Sequence, residues 1–175
     1  SFVKLHTKSS PHLPDGETWG ELLTTTLLQS EFLRDLPLRL ERLPQLALLG
    51  PAGTRAPITL QLQNNGFWLQ ALMRRTGMSG QQVLSAPFIA GSMFAGRLSC
   101  LRPLIDLGLQ LEDFELEAGQ TDGTLAHAIE RWIGVVIHQQ RLVVDELEGD
   151  HTSVPDFGYR WAQHLVATPA ERPLY

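Results

Sequence analysis

Cysteine is nearly absent from this chain: its 175 residues include one, Cys100. A lone cysteine excludes an internal disulfide and a cysteine-built zinc site. No apolar run approaches the roughly 18 residues that a membrane-spanning helix needs. Charged residues make up only 19% of the chain, and the balance is acidic, with a formal net charge of -5. No basic stripe offsets that balance, which excludes a general nucleic-acid surface. The chain also has no Walker loop, no GxGxxG, no GxSxG and no HExxH. The opening residues lack the basic, apolar and small zones of a secretion signal, so the expected location is cytoplasmic.

What is present is an ordinary globular composition, 43% hydrophobic, at a length suited to one domain or one large lobe. Phe2-Val3-Lys4-Leu5 reads as a strand at the very start of the chain. A central strand needs a neighbour on each side, so this one is expected to belong to the C-terminal part of a longer fold. An amphipathic helix follows, with Trp19, Leu22, Leu23 and Leu27 on one face, opened by Asp15 or Gly16. Ser30 reads as a second N-cap ahead of a stripe through Leu43. Leu46–Leu49, stopped by Gly50-Pro51, is a short buried strand. A third helix is expected from Asn64 or Asn65 through Arg75, and an extended segment from Pro87 to Gly96.

The most regular helix is expected to start at Asp122, with Leu125, Ile129, Trp132, Ile133 and Val136 on its apolar face. His127 and Arg131 would then share a polar face, with Glu130 nearby. Beyond Val144 the sequence turns acidic and then rich in proline and glycine. It is therefore assigned as a domain over 1–144 and a peripheral tail over 145–175. Strands alternating with helices predict an α/β layer whose ligands sit at the carboxyl ends of strands.

Two polar clusters fall at such ends. His6, Lys8 and His12 can hydrogen-bond to and neutralise phosphate oxygens, or they simply end a strand in a solvated turn. In the acidic stretch from Glu112 to Asp122, Asp122 or Glu117 can serve as a base for an acceptor hydroxyl. Asp122 reads equally well as an N-cap. His127, Glu130 and Arg131 are a ligand-facing edge or a structural network. No compact metal-ligand spacing occurs, so no metal site is assigned and the cofactor is left unknown.

Four stretches resemble the rhamnan synthesis protein F family, a glycosyltransferase-like group of bacterial polysaccharide and lipopolysaccharide synthesis. They are Lys4-Leu5-His6-Thr7-Lys8-Ser9, Asp15-Gly16 with Trp19, Gly91-Ser92-Met93-Phe94, and the long Gln120-Thr121-Asp122-Gly123-Thr124-Leu125-Ala126-His127-Ala128-Ile129-Glu130-Arg131. The resemblance implies a GT-A-like α/β fold, with a mixed or mostly parallel sheet flanked by helices. It also implies transfer of a sugar, rhamnose by the family's name, from a nucleotide-diphosphate donor to a glycan acceptor. Where GT-A folds carry a metal-binding DxD, the strand here ends in His6-Thr7-Lys8, so divalent-cation dependence is left open. By the same analogy Asp122, backed by Glu117, takes the place of the base, and His6, Lys8, His127, Glu130 and Arg131 contact substrate. The chain departs from the family pattern at Ser9, Gly20 and Ala95, where a lysine, an arginine and a tryptophan are usual. Those departures favour the alternative of a non-catalytic carbohydrate-binding or assembly module. A metal-dependent hydrolase is a third expectation. The region that binds the nucleotide base in GT-A folds would precede Ser1, and the chain by itself is expected to be an incomplete enzyme.

Overall fold

A computed structural model describes residues 1–6, 16–78, 83, 85–116, 118–120 and 122–147. Its elements in chain order are β1 (Phe2–Lys4), α1 (Gly16–Leu27), α2 (Ser30–Arg42), β2 (Leu46–Gly50), β3 (Arg55–Pro57), α3 (Gly66–Arg75), β4 (Pro87–Ile89), β5 (Phe94–Gly96), α4 (Arg102–Asp106), α5 (Leu125–Gln139) and β6 (Val143–Glu146). Four strands form a mixed sheet in the order β1-β5-β2-β6, and β3 and β4 form a separate antiparallel ladder. β5 runs antiparallel to both β1 and β2, while β6 runs parallel to β2. β1, β2 and β6 therefore all point their carboxyl ends the same way.

β2 is buried along its whole length, as a continuous apolar run in the middle of a sheet should be. Leu46 and Leu49 pack with Leu23, Leu27, Leu36 and Leu40 of α1 and α2, whereas Ala47 and Leu48 pack with the α3 and α5 side. A register shift between Leu46 and Leu48 accompanies that uneven alternation. The sheet is thus covered by helices on both faces, an α/β arrangement. Trp132, Val135, Val136 and Ile137 of α5 are buried on the larger side together with Phe88 of β4. Gly134 allows that contact: a Cβ there would lie 2.3 Å from the Pro87 carbonyl oxygen.

Several expectations are corrected. β1 is half-buried along its length and, among the described residues, pairs with β5. Ser30 is the first residue of α2 rather than its cap, which is Gln29. The stretch from Pro87 to Gly96 is two strands in different sheets, separated at Gly91 and Ser92, both with positive φ. The boundary drawn after Val144 falls inside β6, whose Glu146 carboxylate accepts from the Gly53 and Arg55 N–H groups at 2.9 and 3.2 Å. Most of the segment assigned as a tail lies outside the described residues.

Candidate functional site

The first turns of α5 reach the carboxyl edge of the sheet. α5 is followed by a tight turn, with Arg141 at φ 57°, that feeds β6, so the helix starts at the end where β2 and β6 finish. The turn between β4 and β5 lies at the same edge, because β5 is antiparallel to its neighbours. Three stretches distant in sequence meet there.

The meeting point is the Gly91–Ser92 turn. His6 Nε2 bonds the Gly91 carbonyl at 2.8 Å, and Lys4 Nζ donates to the Ser92 carbonyl at 2.6 Å. From the opposite side, Ser92 Oγ donates to Glu130 Oε2 at 2.6 Å, a length typical of a hydroxyl on a carboxylate. Ser92 holds φ 54°, a left-handed conformation uncommon for a residue with a Cβ. Burial lowers the pKa of the Lys4 ammonium, the nearby Glu130 carboxylate opposes that shift, and the ammonium lies 5.6 Å from the Phe94 ring centre.

A second cluster adjoins the first through neighbouring residues on α5. Asp122 accepts from the Asn64 N–H at 2.8 Å and from Asn65 Nδ2 at 2.5 Å, and Arg131 Nη2 stands 3.9 Å away. With its amide turned to donate, Gln63 reaches both Asp122 oxygens at 3.2 and 3.3 Å. Asp122 is not the helix cap, contrary to one of the two expectations. The helix opens three residues later, where Thr124 is extended and its hydroxyl accepts from the His127 N–H. Glu115 completes the cap, its two carboxylate oxygens 3.1 and 3.0 Å from the Leu125 N–H.

His127 and Arg131 do not share an open polar face. The His127 ring bonds Thr124 Oγ1 through Nδ1 at 2.7 Å, so it works with the cap. Arg131 is only 5% exposed. Its guanidinium donates to the Gln61 carbonyl at 2.7 Å and the His127 carbonyl at 2.8 Å, and lies 5.0 Å from the Phe88 ring centre. It also contacts Glu130 Oε1 at 3.5 Å. A buried cation of this kind requires such partners. Lys4 and Arg131 together balance Asp122 and Glu130, and Glu115 at the start of α5 adds one further carboxylate.

Of the residues singled out in the sequence, the structure brings His6 and Glu130 to one turn and Asp122 and Arg131 to its neighbour. Lys8, His12 and Glu117 lie outside the described residues. Lys4 and Ser92 stood in the sequence only within stretches that carry the family resemblance, and Asn65 only at an expected helix start; none was named as a site residue. Ala95, one of the departures from the family pattern, is a fully buried core residue beside α1 and α2. No group of three or more His, Cys, Asp or Glu side chains gathers as a metal would require among the described residues. No helix there is long and apolar enough to cross a membrane.

No family model matches the chain. No solved structure matches it. Two curated proteins do, each called "Uncharacterized protein WxcX", from Xanthomonas campestris pv. campestris strains B100 and ATCC 33913. Each is 40% identical over 135 residues, which cover 77% of this chain and 19% of the relative. The chain is therefore similar to a part of WxcX and spans about a fifth of its length.

Proposed function

We propose that this chain is a glycosyltransferase lobe of GT-A type that acts on a nucleotide-diphosphate sugar, a rhamnosyl donor by the family resemblance, in the synthesis of bacterial cell-surface polysaccharide or lipopolysaccharide. The observation that supports this most is the meeting of the β1 end, with Lys4 and His6, and the α5 carboxylate Glu130 on one turn at the carboxyl edge of the sheet. Sugar transfer needs both kinds of group close together. Cationic and N–H donors offset the charge that builds on the departing diphosphate, and a carboxylate takes the acceptor proton. Lys8 and His6 take the donor diphosphate in this reading, and the glycan acceptor approaches from the α5 side. Calorimetric titration of the full-length protein with nucleotide-diphosphate sugars tests it. Binding that weakens in Lys8→Ala is the expected result, and donor affinity unchanged by that substitution counts against the role of Lys8.

One observation favours a second reading, a non-catalytic module that binds carbohydrate or serves assembly. The charges at the two clusters already neutralise one another, which leaves little net attraction for a diphosphate among the described groups. Oligosaccharides that bind while nucleotide sugars do not would select this reading.

A further inference from the structure

We propose that Glu130, and not Asp122, is the base that deprotonates the acceptor hydroxyl, and that Ser92 positions it. The inference rests on the sugar-transfer reading and concerns an inverting displacement. Two carboxylates stand at the site, and their surroundings differ. Asp122 is tied by the Asn64 N–H and the Asn65 amide, with Arg131 behind it, so its oxygens face donors that belong to the fold. Those donors hold the 122–124 segment onto the turn before α3, an anchoring role.

Glu130 is held differently. Its Oε2 already accepts a hydroxyl proton, from Ser92 at 2.6 Å, which is the kind of contact an acceptor sugar would make. Its Oε1 has only the long 3.5 Å contact to Arg131 among the described residues, so a lone pair is left for an incoming hydroxyl. The side chain is 14% exposed and that of Asp122 12%, so the two carboxylates differ in their hydrogen-bond partners rather than in access. Ser92 is itself fixed. Lys4 and His6 hold the carbonyls on either side of its backbone, and it keeps φ 54°, a strained setting of the kind that recurs at functional sites.

The step is as follows. The acceptor O–H hydrogen-bonds to Glu130, its oxygen forms the new bond to the anomeric carbon, and its proton passes to the Glu130 carboxylate. The bond from the anomeric carbon to the diphosphate oxygen breaks, and that electron pair leaves with the nucleoside diphosphate. No redox partner is involved. Ser92 keeps Oε2 aligned and leaves Oε1 to the acceptor.

The test uses the full-length protein and a panel of nucleotide-diphosphate sugars, with water or added glycan as acceptor, and follows nucleoside diphosphate release. Glu130→Gln preserves shape and can still accept from Ser92. It should lower kcat by roughly a hundredfold or more, with donor KM within about threefold. Ser92→Gly suits the positive φ and removes the whole CH2OH group, the hydroxyl that bonds Glu130 included. It should lower kcat less, again with donor KM and melting temperature nearly unchanged. Asp122→Asn should instead lower the melting temperature and leave kcat per folded molecule within about tenfold. Glu130→Gln with near-wild-type kcat, or a stable Asp122→Asn with a collapsed kcat, overturns the assignment while sugar transfer stands. If Glu130→Gln fails to fold, an unchanged kcat in Ser92→Gly overturns it. Wild-type protein that releases no nucleoside diphosphate from any donor overturns both this inference and the reading it rests on.

Discussion

Asp122 and Asn65 are bonded side chain to side chain across 57 positions of sequence. Asn65 is fully buried, also donates to the Leu62 carbonyl at 3.0 Å, and accepts from the Gly123 N–H at 3.2 Å. Asp122 and Asn65 thus fasten the segment ahead of α5 to the turn ahead of α3. Asn65→Ala removes one of the donors to Asp122 and strands the Gly123 N–H, and should cost about 1–3 kcal/mol in urea or guanidinium denaturation. A cost near zero would show that water replaces the amide.

Gly134 sets how closely α5 approaches β4. Alanine is the better helix former by about 1 kcal/mol, so propensity alone favours Gly134→Ala. The added Cβ, however, would meet the Pro87 carbonyl oxygen at 2.3 Å and the Phe88 Cβ at 3.0 Å, and backbone cannot yield as a flexible side chain can. Net destabilisation of about 1–3 kcal/mol is expected, measured as a lowered denaturation midpoint.

How far the sequence could be read differs by element. α3, α5 and β2 were legible because their apolar spacing is strong and each packs against the core it implies. The start of α5 was not, because Asp122 and Thr124 are both good capping types and the apolar stripe begins after either. Gly123, at φ 81° and packed against Asn64, decides in favour of Thr124, and that depends on a tertiary neighbour. Arg131 looked like a surface residue because its burial is paid for by the Gln61 carbonyl and the Phe88 ring, far away in the chain. Glu146 looked like part of an acidic tail for a similar reason: it accepts from the N–H groups of Gly53, in the loop after β2, and of Arg55, at the start of β3. The polar stretches that meet at the site were visible separately. Their meeting on Ser92 was not, since two left-handed residues divide what reads as one extended segment.

Lys4 should make stability depend on alkaline pH. Its pKa is lowered from 10.5 by burial, with Glu130 opposing. Between the folded value and 10.5 the unfolded chain holds a proton that the folded chain has released, so stability rises with pH across that window. Lys4→Met should flatten the rise, read from urea midpoints between neutral pH and 10.5. A rise that persists unchanged would assign it to another group.

Cys100 is 1% exposed, and burial pushes its thiol up to about 11. The reactive thiolate is therefore scarce at neutral pH. A maleimide should label the native protein much more slowly than the denatured protein. Equal labelling rates would contradict the burial of Cys100 beside α5.

The central claim, that the carboxyl edge of this sheet handles a nucleotide-diphosphate sugar, is tested most directly by sugar transfer with the full-length protein. The account predicts that nucleoside diphosphate is released from at least one nucleotide-diphosphate sugar, and that Glu130→Gln abolishes the release while still binding the donor. No nucleoside diphosphate released from the whole panel by the folded wild-type protein would contradict it.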